Sequence, residues 1–181
     1  LISVQVPIVT TANALEINRC IKEQVYNELQ NWLLPDKCSL KESETSISNI
    51  DKRMEPSEYS TQYLHISGKI TFKNDTLVSL VFTGNQNVKS AAHPNEVFFT
   101  INVDVHTAQR VSLADVCAID DSLYTAFLTH VNSERISRDE LLSLKAFEKE
   151  VFLEGLAQEP ENGFYGYFKP NYVCISYPVA Y

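Results

Sequence analysis

Apolar and polar positions alternate along some stretches of the chain and recur at helical spacing along others, and these two periods set the expected elements. In residues 2–9, Ile2, Val4, Val6 and Ile8 share one face, as a strand with one dry side requires. Pro7 has no donor and places this strand at a sheet edge or strand end. Asn13 followed by Glu16 reads as a capping box. Behind it, Ile17, Ile21, Val25, Leu29 and Leu33 keep a helical stripe that Pro35-Asp36 stops. Residues 39–58 are polar and read as a loop or frayed strand. In "YLHISGKITF", Leu64, Ile66, Ile70 and Phe72 share a face, and a turn at Asn74-Asp75 leads into "TLVSLVFTG", which predicts a hairpin.

A polar loop is expected over 84–96. The strand after it, 97–105, points Val97, Phe99, Ile101, Val103 and Val105 inward and Thr100, Asn102 and Asp104 outward. Ser112 with Asp115 caps a short helical turn, and Asp120 and Asp121 sit where a helix dipole favours negative charge. Leu123, Phe127, Leu128 and Val131 continue as a helix. Ser137 with Glu140 opens another helix, running through Phe147. "FYGYF", the turn "KPN" and "YVCISYPVAY" predict a closing hairpin with Val173, Ile175, Tyr177 and Val179 on one face. The expected fold is α+β: an antiparallel sheet of four or more strands, with the N-terminal and 120s helices packed mainly on one face. It forms a single domain over 1–181, with a strand–helix part to about residue 58 and a second part from about residue 59.

Composition narrows the function. With 15 Lys and Arg against 23 Asp and Glu, the net charge of −8 disfavours nucleic acid and anionic membrane surfaces, both of which need clustered cations. It suits a basic protein partner. No apolar run approaches the roughly 18–20 residues that cross a bilayer. The chain begins at Leu1, almost inside a strand, and stops at Tyr181. It therefore reads as a trimmed piece, and compartment is not taken from its N-terminus.

Chemical motifs are sparse. Cys20, Cys38, Cys117 and Cys174 form no C-x-x-C pair, so zinc has little support; three disulfide pairings or buried free thiols remain open. His65, His93, His106 and His130 lack H-x-x-x-H spacing, and Asp104 with His106 reads as a solvated strand face. No nucleophile elbow and no Gly-rich phosphate loop occur, so neither catalytic residues, nor a cofactor, nor a metal are expected. Asp120-Asp121 and the Glu159/Glu161 pair lie at helix starts or turns, where acids serve capping. Phe164, Tyr165, Tyr167, Phe168, Tyr172, Tyr177 and Tyr181 crowd the end of the chain, for cross-strand packing or for recognition.

"AAHPNEVFFTINVDVHTAQRVSLADV", residues 91–116, adds a resemblance. Its Ala92-His93-Pro94-Asn95 loop, the strand ending at Asp104 and Leu113-Ala114-Asp115-Val116 resemble a bacterial extracytoplasmic domain family. That family supplies the outer domain of lysozyme-sensing anti-sigma factors and the accessory domain of some peptidoglycan deacetylases. "VPIVTTANALEINRCIKEQVYNEL" and "FYGYFKPNYVCISYPVAY" are similar to its N-terminal and terminal parts, so the likeness covers nearly the whole chain. Residues 36–62 and 130–160 match least. Two departures stand out: the turn His106-Thr107-Ala108-Gln109 lacks the family's glycine, and the family's terminal strand continues beyond Tyr181.

The resemblance implies a secreted or membrane- or lipid-anchored cell-envelope domain that binds a protein such as lysozyme, or a cell-wall fragment, without transforming it. Any membrane attachment would come from an anchor outside this chain. His93, Pro94, Asn95, Asp104, Tyr165 and Tyr167 are the candidate ligand-binding residues. His93 also has a structural role open to it, because a residue before proline is extended and its ring can bond the backbone. The rival expectation is a hydrolase of cell-wall material whose His93, or another histidine, meets a carboxylate or cysteine only in space. A third is a purely structural envelope module.

Overall fold

The computed structural model describes residues 1–33, 61–89, 91–130, 148–159 and 165–176. Its elements run β1 (Ile2–Gln5), α1 (Ala14–Leu33), β2 (Thr61–Lys73), β3 (Leu77–Val88), β4 (Asn95–Asp104), α2 (Leu113–Val116), α3 (Asp121–His130), α4 (Lys149–Ala157), β5 (Tyr165–Lys169) and β6 (Tyr172–Ser176). The first four strands form one sheet in the order β1-β2-β3-β4, and β5-β6 forms a separate hairpin. The fold mixes α and β as the sequence implies, but the larger sheet is not wholly antiparallel. β1 lies parallel to β2, with Ile2 opposite Leu64 and Val4 opposite Ile66. Residues 6–60 carry α1 between these strands, long enough for the crossover that parallel neighbours need.

One face of the sheet is dry. Ile17, Ile21, Val25 and Leu29 of α1 pack on Leu64, Ile66, Val78, Leu80, Phe82, Val97, Phe99, Ile101 and Val103. The rings of Phe82 and Phe99 stack across β3 and β4 with centroids 4.7 Å apart. Gly68 makes room for this stack: a Cβ there would lie 2.4 Å from the Phe82 ring and 2.7 Å from Pro7. The N-terminal alternation holds through Val6, with Ile2, Val4 and Val6 packed against the core. Beyond Pro7 it inverts, leaving Ile8 77% exposed and Val9 buried beneath Asn18, whose side chain bonds both Val9 N–H and C=O.

Other expectations shift by a register or a face. Ile70 pairs with Leu80 and Phe72 with Ser79, so the ladder is irregular between them. That shift carries Phe72 to the opposite face from Ile70, where its ring meets Phe168 at 6.5 Å. β3 runs on to Val88, so the expected 84–96 loop shrinks to the residues before Asn95. Asn13 does not cap its own helix with its side chain; Nδ2 donates instead to the Val105 and His106 carbonyls, fastening α1 to the turn after β4. The turns at Asn74 and Asp120 match expectation, since each carboxamide or carboxylate oxygen accepts backbone N–H groups just ahead of it.

A second cluster joins Leu113 of α2 and Phe152 and Leu156 of α4 with Leu123, Tyr124 and Phe127 of α3 and with Phe168 and Ile175 of the hairpin. The 120s helix thus packs on α4, not against the α1 layer. The sequence pattern does not mark α4. The helix expected over 137–147 lies outside the described residues, as do Cys38 and the hairpin residues Tyr177 and Val179.

Candidate functional site

The second face of the sheet is where the sequence expectation is most revised. Thr100 and Asn102 point outward from β4 as predicted, yet they are only 1% and 2% exposed. The β5-β6 hairpin lies over them. Thr100 Oγ1 donates to the Gly166 carbonyl at 2.9 Å, and Asn102 Nδ2 donates to the same oxygen at 2.8 Å. Asn102 Oδ1 accepts from Ser79 Oγ at 2.7 Å, and Ser79 Oγ accepts from the Phe168 N–H at 2.9 Å. Buried polar groups persist only when partnered, and this layer partners every one of them.

Glu159, just after α4, completes the layer. Oε1 accepts from the Gly166 N–H at 2.7 Å and Oε2 from the Leu113 N–H at 2.9 Å. Burial pushes its carboxyl above the ordinary value, against the pull of those two N–H groups and of Arg110. A carboxylate shifted upward in this way is a common signature of a catalytic acid. Here both oxygens are spent on holding the hairpin and the start of α2. Cys117 and Cys20 are half-buried free thiols, pushed up chiefly by burial, as Cys174 is a half-buried free thiol on β6. Among the described residues no three His, Cys, Asp or Glu side chains group as metal ligands.

The six candidate ligand residues do not form one site. Asp104 closes the far end of β4: its Oδ1 accepts from the His106 and Thr107 N–H groups and from the Thr107 hydroxyl. Those bonds, led by the Thr107 N–H, hold its carboxyl below the usual range. This is an Asx turn that shapes the chain. The residue behind it, Ala108, sits at φ 54°, the left-handed region glycine favours. At the other end of β4, about 30 Å away by strand rise, His93 and Asn95 are exposed. Asn95 Nδ2 donates to Gln86 Oε1, and Gln86 in turn binds the Trp32 carbonyl at the end of α1. His93 Nδ1 lies 3.4 Å from its neighbour's carbonyl, Pro94 O.

Tyr165 and Tyr167 flank Phe98, on the same half of the sheet as the His93-Pro94-Asn95 loop. The Phe98 centroid is 5.9 Å from Tyr165, edge-on, and 6.3 Å from Tyr167. Burial, with help from the charge of Glu28, pushes the Tyr165 hydroxyl up to about 12. Beside this aromatic edge the sheet face forms a hollow of about 440 Å³ lined, among the described residues, by His65, Ser67, Thr83, Asn85, Glu96 and Phe98. Register explains the grouping. His65 pairs with Asn85 and Asn85 with Glu96; Ser67 pairs with Thr83 and Thr83 with Phe98. Sequence alternation places His65, Ser67 and Phe98 outward on their strands and leaves Asn85 and Glu96 in the expected 84–96 loop; only the pairing collects them.

No family model matches the sequence, and no curated protein matches it. Among solved structures, the chain is similar to the crystal structure of a member of the DUF3298 family from Bacteroides fragilis. Identity is 14% and the TM-score 0.33, over 67% of this chain and 42% of that one. The chain thus spans less than half the length of that protein, and a likeness this distant carries no argument about ligand or activity.

Proposed function

We propose that the chain is a non-catalytic binding domain of the bacterial cell envelope, extracytoplasmic in location, that recognises a basic protein such as lysozyme or a cell-wall fragment. One observation carries this reading: the second sheet face is half sealed and half open. Where the hairpin covers it, polar groups are consumed by the framework. Beside it, an aromatic edge borders a hollow whose polar side chains stand on rigid strands. Sites built on strands hold their geometry better than sites on loops. The net charge of −8 adds a long-range attraction for a cationic partner. The sequence resemblance to lysozyme-sensing domains points the same way.

Calorimetric titration with lysozyme and, separately, with muropeptides tests the proposal. A protein partner should bind with an affinity that falls as ionic strength rises from about 0.1 to 1 M, where the screening length shrinks from about 10 to 3 Å. A muropeptide partner should bind with little salt dependence and emerge chemically unchanged. Heatless titrations with both, or products of cleavage in the muropeptide sample, would refute the proposal.

A further inference from the structure

Resting on that reading, we infer that the hollow formed by His65, Ser67, Thr83, Asn85, Glu96 and Phe98 takes an uncharged sugar ring of a glycan strand. Its size, about 440 Å³, falls within the roughly 300–1,000 Å³ of small-ligand clefts. Its chemistry selects among small ligands. The lining offers hydroxyls from Ser67 and Thr83, a donor-and-acceptor amide from Asn85, an imidazole from His65 and a carboxylate acceptor from Glu96. A polyol needs this mixture, because every sugar hydroxyl both donates and accepts. Among the described residues neither Lys nor Arg lines the hollow, and Glu96 repels a phosphate or a carboxylate ligand. A flat apolar ligand would leave these five polar side chains stripped of water and unpaired, a costly outcome.

Phe98 supplies the remaining element. The axial C–H groups on one side of a pyranose ring pack on an aromatic face, and Phe98 is held edge-on by Tyr165, so it does not have to be ordered on binding. The two side-chain rows lie about 7 Å apart along the strands, and adjacent strands are separated by about 4.8 Å. The array therefore spans one ring and the start of the next, not a long polymer groove.

Nitrogen-15 heteronuclear NMR titration of the whole chain with N-acetylglucosamine oligomers, and in parallel with cello-oligosaccharides, tests this assignment. Shifts should concentrate on the amides of His65, Thr83, Gly84, Asn85, Glu96 and Phe98. Response to both series marks a general pyranose site, and response to the N-acetylated series alone marks a cell-wall glycan. Asn85→Ala, at an exposed position that leaves the fold intact, should weaken binding about tenfold, the loss of one or two hydrogen bonds. Glu96→Gln should weaken it less, because it keeps an acceptor. Shifts elsewhere, or none, or an unaffected Asn85→Ala affinity would overturn the inference. Lysozyme binding by the unaltered chain, with no shifts from either sugar series, would remove the glycan site and leave the binding-domain proposal standing.

Discussion

The buried carbonyl of Gly166 accepts from two side chains, Thr100 and Asn102, at 2.9 and 2.8 Å. This shared acceptor makes a quantitative prediction. Thr100→Val keeps the shape and removes one hydroxyl; Gly166 O still has Asn102, so the loss is that of one hydrogen bond, about 0.5–1.5 kcal/mol. Asn102→Ala removes two bonds, to Gly166 O and from Ser79 Oγ, and leaves a small void, for about 2–3 kcal/mol in all. In each single variant the carbonyl keeps one donor. In the double variant it keeps none, and an unpaired buried acceptor costs a further 1–3 kcal/mol or so. The double should therefore lose about 1–3 kcal/mol more than the sum of the singles. Urea unfolding followed through Trp32, the chain's single tryptophan, and through far-ultraviolet circular dichroism gives the four stabilities of the cycle. Thr125→Val with Thr100→Val is the control pair, because Thr125 bonds the Asp121 carbonyl on the exposed side of α3, outside this network; independent sites add within about 0.5 kcal/mol. Additivity of the Thr100 and Asn102 pair within that margin would refute the shared-acceptor account, and with it the seating of the hairpin on the sheet.

Three further outcomes are expected. Gly84→Ala should lose at least the upper end of the ~1–3 kcal/mol cost of overpacking, because its Cβ would lie 1.9 Å from the backbone oxygen of His65; a denaturant midpoint close to wild type would contradict the β2–β3 register. At Ala108, Gly gains about 1–2 kcal/mol from relieving the left-handed backbone but loses about 0.8 for the methyl and 0.4–1 in unfolded-chain entropy, so it should be near neutral, whereas Val, β-branched at φ 54°, should be clearly destabilising. Thermal melts of the pair test this, and equal melting points would count against the backbone geometry. Glu159 has a raised folded pKa, so the folded state holds its proton more tightly than the unfolded one. Its contribution is complete below the ordinary value of 4.5 and is lost as pH rises through the raised one. Glu159→Gln should flatten that part of the melting temperature–pH curve, while Asp104, whose pKa is lowered, contributes the opposite slope on the acid side. An unchanged curve in Glu159→Gln would refute the burial of that carboxylate.

The elements with a local code were legible in the sequence. Ile17, Ile21, Val25 and Leu29 recur at helical spacing and are all buried, and the four alternating apolar residues of β4, with Val105 just past its end, are buried as well. What failed to show were relations between distant segments. Thr100 and Asn102 read as solvent-facing because alternation reports which face a residue is on, and not what covers that face; residues 64–66 positions further along the chain cover it here. Phe72 changed face through one ladder irregularity, which costs a single extra residue and leaves no compositional trace. The parallel pairing of β1 likewise depends on a crossover, not on the strand's own pattern. Among the candidate site residues, Tyr165 and Tyr167 do come together with the half of the sheet that the His93-Pro94-Asn95 loop enters, and Asp104 does not, since it ends the same strand at the other end. The hollow itself was hidden: His65, Ser67, Thr83, Asn85 and Glu96 are ordinary polar residues on three strands, and strand register alone makes them neighbours.

The polar layer and the open hollow are coupled by that register. An apolar hairpin could slide on an apolar sheet at little cost, since dispersion contacts are non-directional. This hairpin cannot: sliding it by two residues would take Gly166 O from Thr100 and Asn102, Phe168 N–H from Ser79 and Gly166 N–H from Glu159. Each orphaned group costs about 1–3 kcal/mol, so the total rivals the whole stability of a typical domain. Polar contacts here act less as net stabilisers than as pins that fix position. Tyr165 and Tyr167 ride on the same strand as Gly166 and Phe168, each next to at least one pinned residue. Fixing the hairpin therefore fixes the aromatic edge against Phe98, and so the wall of the hollow. A variant that loosens the pins at Thr100 or Asn102 should thus weaken ligand binding at His65, Asn85 and Glu96 without touching any residue that lines the site.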